Sequence, residues 1–381
     1  MPTATEPTVD TDIPAGNAVI EQVDGDTIHL RPDLRDTEGH WFYWHVRVRH
    51  AGGHTLRFQF PNNQCIGARG PAISIDAGRT WRWLTDHFPH ADHFDYAVPD
   101  AADDVRLCMT IPYGPEHLDA FLATRRASNL VRETLCTSHA GHAVPLLRAG
   151  NLSDPDTRIL VTARHHACES MASFVLEGLL AAALADDELG HWFQHHVELM
   201  CVPFVDHDGV MHGDQGKNRA PHDHNRDYAG DSIHAEVAAI RELVPRWSAG
   251  RLRVGLDLHC PYLRNNVHGH GQNEKVYQVG GKDPARWGEQ QRFGGVLEQC
   301  AAGALPYAQA NDLPFGQDWN TGANYGQFKS STRWFAEQPG VRLTTTFEIP
   351  YANAQGVEVH IEPCRALGRD IAQALRSYLA G

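Results

Sequence analysis

The segment "RHHACES", residues 164–170, sets His166 and Glu169 three positions apart. A turn brings positions i and i+3 to one side, and imidazole and carboxylate are both good zinc ligands. Alone, the pair equally fits a helix start, where a glutamate favours the positive end of the peptide dipoles. A second histidine, His259, closes the apolar run "RLRVGLDLHC". It offers the third donor of a catalytic metal site, which keeps one coordination position open for water. In "VRLTTTFEIPY" the alternation of Val341, Leu343, Thr345 and Phe347 puts Glu348 at the end of a strand that should be buried. A buried carboxylate is costly unless paired or used. Beside an activated water it serves as general base and then as general acid.

Between these lies "GVMHGDQGKNRAPHDHNRDY", residues 209–228, with Arg219, Asp223, Asn225 and Arg226. The arginine fork matches a carboxylate bidentately, and asparagine adds an amide donor to the same anion. Asp223 is placed to accept the free ring N–H of a ligating histidine. Each of these residues alone also fits a solvated loop.

The elements that must carry these groups are readable from periodicity. Residues 1–17 are polar and rich in Pro and Thr, a composition that predicts a disordered tail. Residues 18–115 predict a small antiparallel β-sandwich, with alternation through Phe42, Trp44, Val46 and Val48 and again through Leu56, Phe58 and Phe60. Residues 116–381 alternate strand and helix patterns, which predicts an α/β fold with a mixed, mostly parallel central sheet flanked by helices. Helices are expected at 170–185, 232–246, 283–302 and 364–379, and strands at 158–163, 252–258 and 341–347. His166 and Glu169 then follow the carboxyl end of a buried strand, where open α/β sheets bind ligands.

Composition narrows the function classes. The net charge of −14 with neutral histidines disfavours nucleic acid and anionic membrane surfaces as partners. No apolar run approaches the roughly 18 residues of a membrane span. The N-terminus lacks a basic region followed by an apolar one, so a cytoplasmic location without a secretory signal or processed pro-segment is expected. Eight scattered cysteines without a C-x-x-C pair read as reduced, packed thiols, Cys168 among them. The residues specify no oligomeric state.

Taken in order, His166-Ala167-Cys168-Glu169, Asp223-His224-Asn225-Arg226, His259 and Glu348 resemble the zinc metallocarboxypeptidase family, in particular its cytosolic carboxypeptidase-like branch. The compact "GDQGKNRAPHDHNR" stretch, the "DLH" at 257–259 and the preceding sandwich are similar to that branch. Ala167-Cys168, where relatives often carry Pro-Gly, and Cys260-Pro261-Tyr262 depart from its pattern.

The resemblance implies one Zn2+ per chain on His166, Glu169 and His259, with Glu348 as base. It implies Arg219 as oxyanion stabiliser and Asn225 and Arg226 as the clamp on a terminal carboxylate. Tyr325, nine residues before Trp334, matches a family tyrosine on a mobile loop. The implied reaction removes the C-terminal residue of a peptide or protein by cleaving a peptide or isopeptide-type amide. The terminal side chain would lie near Thr332 and Arg333. Arg333, Lys329 or Arg264 would favour an acidic one. Two other readings keep the metal: an aspartoacylase-like amidohydrolase acting on small N-acyl amino acids, and a catalytically inactive zinc-binding interaction protein.

Overall fold

Val46 and Val48 are fully buried on the strand His45–Arg49, and Phe42 and Trp44 are fully buried in the segment that leads into it. The computed structural model describes residues 6–125, 129–264, 272–326 and 328–380, the side chain of Tyr325 excepted.

The N-terminal strands form two sheets. One runs β1 (Thr8–Asp10), β4 (His45–Arg49), β9 (Asp104–Cys108), β6 (Ala72–Ser74) and β7 (Arg82–Trp83). The other runs β2 (Val19–Asp24), β3 (Thr27–Arg31), β5 (Thr55–Gln59) and β8 (His93–Ala97). All pairs are antiparallel except β3 with β5. The two sheets share one apolar core that includes Leu30, Leu56, Phe58 and Phe94 from one and Val46, Val105 and Leu107 from the other. The expected tail is partly structured. Thr8–Asp10 pairs with β4, and Asp10 meets Arg47 at 3.0 Å and Arg49 at 3.2 Å. Composition missed this because the ordering comes from a strand about forty residues away.

The second half is built on seven strands in the order β10 (Leu130–Thr137), β11 (Ala143–Gly150), β13 (Val197–Val202), β12 (Thr157–Ala163), β14 (Leu252–His259), β16 (Leu343–Glu348) and β15 (Tyr277–Val279). Strands β13, β12, β14 and β16 are mutually parallel, and the pairings β10–β11, β11–β13 and β15–β16 are antiparallel. Helices α1 (Pro115–Ala123), α2 (Ser170–Ala183), α3 (Glu188–His196), α4 (His207–His212), α5 (Ala235–Ser248), α6 (Pro284–Cys300), α7 (Gly322–Tyr325), α8 (Ser331–Phe335) and α9 (Ile361–Ala380) cover and connect it.

Helix α2 is buried nearly all round. Its apolar circumference is matched by α9, which approaches so closely that a Cβ on Gly178 would strike the Arg365 carbonyl and one on Gly368 the Val175 carbonyl. The carboxyl ends of β12, β14 and β16 therefore open on one rim: Ala163 lies beside Leu258, and His259 beside Glu348.

Candidate active site

After β12 the backbone turns through Arg164, whose φ of 61° is left-handed. Its buried guanidinium donates to the carbonyls of Ala167 and Tyr113 and to Ser173 Oγ. These bonds fold the H-x-x-E turn onto the start of α2. His166 Nδ1 then lies 3.0 Å from Glu169 Oε1. His259 Nδ1, brought by the end of β14, lies 2.8 Å from Glu169 Oε2 and 3.1 Å from His166 Nδ1.

The donor set fits zinc. Two imidazole nitrogens and a carboxylate face one point, and the ligand atoms all lie within 4.8 Å of one another. The edge of a tetrahedral zinc site with nitrogen and oxygen ligands is about 3.3 Å, close to these separations. His259 Nε2 is held by Asp257 Oδ2 at 2.7 Å, which leaves Nδ1 as the ring nitrogen a metal could use.

Asp257 is fully buried and also accepts from Thr162 Oγ1 and Ser331 Oγ, while His165 Nδ1 lies 2.8 Å from its Oδ1. Burial would raise its pKa, but His165 and His259 hold it well below the usual carboxylate range. Burial acts likewise on Glu169, where the Lys217 ammonium and the two imidazoles win and keep it ionised.

Glu348 is 6% exposed, and its Oε2 has no hydrogen-bond partner among the described residues. Burial, reinforced by the nearby Glu169 charge, pushes its pKa up to about 7, against the pull of His259 and Lys217. A carboxyl group poised there exchanges a proton near neutral pH. His166, His259 and Glu348 open on a cleft of about 930 Å³, whose walls also include Lys217, Arg219, Asn225, Arg226 and Arg333.

The other expected site residues vary in how the structure uses them. Asn225 and Arg226 lie on a single turn, His224–Arg226. Asn225 Oδ1 accepts the Ser331 N–H at 2.9 Å, and its Nδ2 lies 3.3 Å from His259 Nε2. Arg226 donates to the Asn225 carbonyl and to that of Asn324, beside Tyr325. Tyr325 ends α7, and its side chain lies outside the described residues. Asp223 Oδ1 stands 3.9 Å from His166 Nε2, beyond a direct hydrogen bond, and is buried without a hydrogen-bond partner among the described residues.

Arg219 lines the cleft, but Nη2 donates to Asp206 at 2.7 Å and Asp214 at 3.1 Å, with Asp36 3.4 Å from Nε. Lys329 pairs with Glu337 at 2.8 Å. Arg264 is spent on the carbonyls of Gly67, Phe88 and Pro89 in the N-terminal half, which withdraws it from the terminal side-chain pocket. Cys168 is packed against Gln215 and Tyr351, and burial pushes its thiol up to about 12.

Sequence reasoning missed Asp257 and Lys217. Asp257 was findable, because it sits two positions before His259 and so shares its face of the strand. Lys217 carries no such periodicity. It lies in a loop fixed from the N-terminal half: Asp36 accepts the N–H groups of Gln215 and Gly216, and Gln215 Oε1 accepts those of Phe42 and Tyr43.

No protein-family model matches the chain. Among curated proteins it is similar to cytosolic carboxypeptidase 2 of Danio rerio, at 31% identity over 285 residues, 65% of this chain and 39% of that protein. Cytosolic carboxypeptidase 6 of Caenorhabditis elegans is 21% identical, covering 64% of this chain and 59% of that protein. The chain thus spans less than two thirds of the length of either relative. Among solved structures, a metallo-carboxypeptidase from Burkholderia cenocepacia superposes with a TM-score of 0.79 at 21% identity, covering 99% of both chains. One from Pseudomonas aeruginosa, in complex with (2-guanidinoethylmercapto)succinic acid, gives 0.77 at 20% identity over 98% of this chain and 99% of that one. Among the described residues no helix is long and apolar enough to cross a membrane. The chain thus has the fold of the solved metallo-carboxypeptidases and is similar in sequence to cytosolic carboxypeptidases.

Proposed function

We propose that the chain is a zinc-dependent carboxypeptidase that hydrolyses the C-terminal amide of peptides or protein tails. The observation that carries this reading is the meeting of His166, Glu169 and His259 at one point beside a buried Glu348 whose Oε2 has no hydrogen-bond partner among the described residues. Zinc held by the three ligands supplies Lewis-acid activation of water and of the scissile carbonyl.

Glu348 takes a proton from the attacking water and passes it to the leaving nitrogen. Asn225 and Arg226 hold the terminal carboxylate and confine cleavage to the chain end. Arg333 and Thr332, both on the cleft wall, flank the terminal side chain. The charge of the cleft supports an anionic substrate end. Although the chain carries −14 overall, the cleft walls hold seven Lys or Arg side chains against four Asp or Glu. Arg219, taken up by carboxylates, receives no place at the carbonyl in this proposal.

The test is turnover of a peptide library read by mass spectrometry, with zinc-loaded wild type and Glu348→Gln in parallel. The expected result is loss of single C-terminal residues with wild type alone. Turnover of N-acetyl amino acids without any peptide cleavage would overturn it in favour of a deacylase.

A further inference from the structure

Lys217 stands two residues before Arg219 on the same loop, with 15% of its side chain exposed. Its Nζ lies 2.6 Å from Glu169 Oε1 and donates to the Cys260 carbonyl at 3.1 Å. Cys260 directly follows His259, so the ammonium is anchored beside two of the three candidate ligands. The Trp41 ring, from the N-terminal half, lies 5.9 Å from Nζ on its other side. Thr37 Oγ1 also donates to the Lys217 carbonyl, fixing the backbone from that half as well.

Resting on the function proposed above, we infer that Lys217, rather than Arg219, is the cation that faces the reacting carbonyl. The two differ in what neutralises them. Three carboxylates, Asp206, Asp214 and Asp36, surround Arg219 and take up its charge. The ion-pair partner of Lys217 is Glu169, whose charge is drawn to zinc in the loaded protein. An ammonium has three N–H donors. The Cys260 carbonyl takes one and Glu169 Oε1 a second, which leaves the third to aim at an oxygen between the ligands and Glu348.

In the reaction, water oxygen bonds to the carbonyl carbon, its proton goes to Glu348, and the carbonyl π electrons move onto oxygen. Lys217 donates to that oxygen. The electron pair then returns, the C–N bond breaks, and the Glu348 proton goes to the leaving nitrogen. Amide and water become carboxylic acid and amine. Arg219 instead latches the loop that carries Lys217.

The experiment compares wild type with Lys217→Met, Lys217→Arg and Arg219→Met, each loaded with zinc and its metal content measured. Two readouts are taken: kcat and KM on a cleaved peptide, and affinity for a tetrahedral phosphinic peptide analogue against that for the free C-terminal product. Lys217→Met is expected to lower kcat about 10²- to 10³-fold, with KM little changed. It should weaken the phosphinate far more than the product, and Lys217→Arg should restore part of both.

Selective loss in Arg219→Met instead would overturn the inference. So would a Lys217→Met protein that loses zinc yet keeps kcat per bound zinc, since Lys217 would then merely support Glu169. A wild type that cleaves no peptide would remove the proposed function, and the phosphinate comparison would still decide between Lys217 and Arg219.

Discussion

His259 and Glu348 are register partners at the carboxyl ends of adjacent parallel strands, β14 and β16. A candidate ligand and the candidate base are thus spaced by sheet hydrogen bonding and not by loop packing. Such a base should be hard to replace. Glu348→Gln keeps the shape and removes the proton acceptor, so kcat should fall about 10²- to 10⁴-fold with zinc content intact. Steady-state kinetics alongside metal analysis check this. Activity within a few-fold of wild type would assign the proton transfer to another group.

Asp257 and His259 form a carboxylate–imidazole pair behind the ligand position, 2.7 Å apart. Asp257→Asn should weaken zinc binding about 10- to 100-fold, read by competition with a chelator. Equal affinity in the two proteins would show that the pair does not set the orientation or basicity of His259.

Arg226 reaches the cleft from the turn that also carries Asn225. Arg226→Ala should cost about 10- to 100-fold in kcat/KM on carboxylate-ended peptides, the value of a hydrogen bond to a charged group. Wild type should also discriminate against C-terminally amidated peptides, and the variant should lose most of that preference. An unchanged preference would place the carboxylate elsewhere.

His45, on β4, gives a pH signature away from the cleft. Burial, followed by the nearby Arg106 charge, lowers its pKa to about 3 from the ordinary 6.5. Its ring packs edge-on to Trp81 at 5.7 Å. Between those pH values the unfolded chain binds the proton and the folded one does not, so stability falls as pH falls. The loss is about 1.4 kcal/mol per pH unit, or roughly 3 kcal/mol from pH 6 to 4. Denaturant titrations at several pH values should show this slope, and His45→Gln should flatten it. The same slope in both proteins would assign the acid sensitivity to other buried histidines.

Much of this protein follows from local pattern. Two-residue alternation marked the strand carrying Val46 and Val48. Alternating apolar positions leading to His259 and Glu348 marked β14 and β16. The helix after Glu169 was legible because its all-apolar surface has to be buried. Strand β10 was not legible, since Arg132, Glu133 and Thr134 face solvent on an outer strand and break the pattern.

Tertiary structure alone decided how the charged loop residues are used. Sequence places Lys217, Arg219 and Arg264 alike, as cations in irregular segments. Folding gives Arg219 three carboxylates, Arg264 the carbonyls of the other half, and Lys217 a seat against Glu169. An ion pair depends on which distant groups lie within a few ångströms. Here Asp36 and Glu169 stand well over a hundred residues apart and meet the same loop only once both halves have folded.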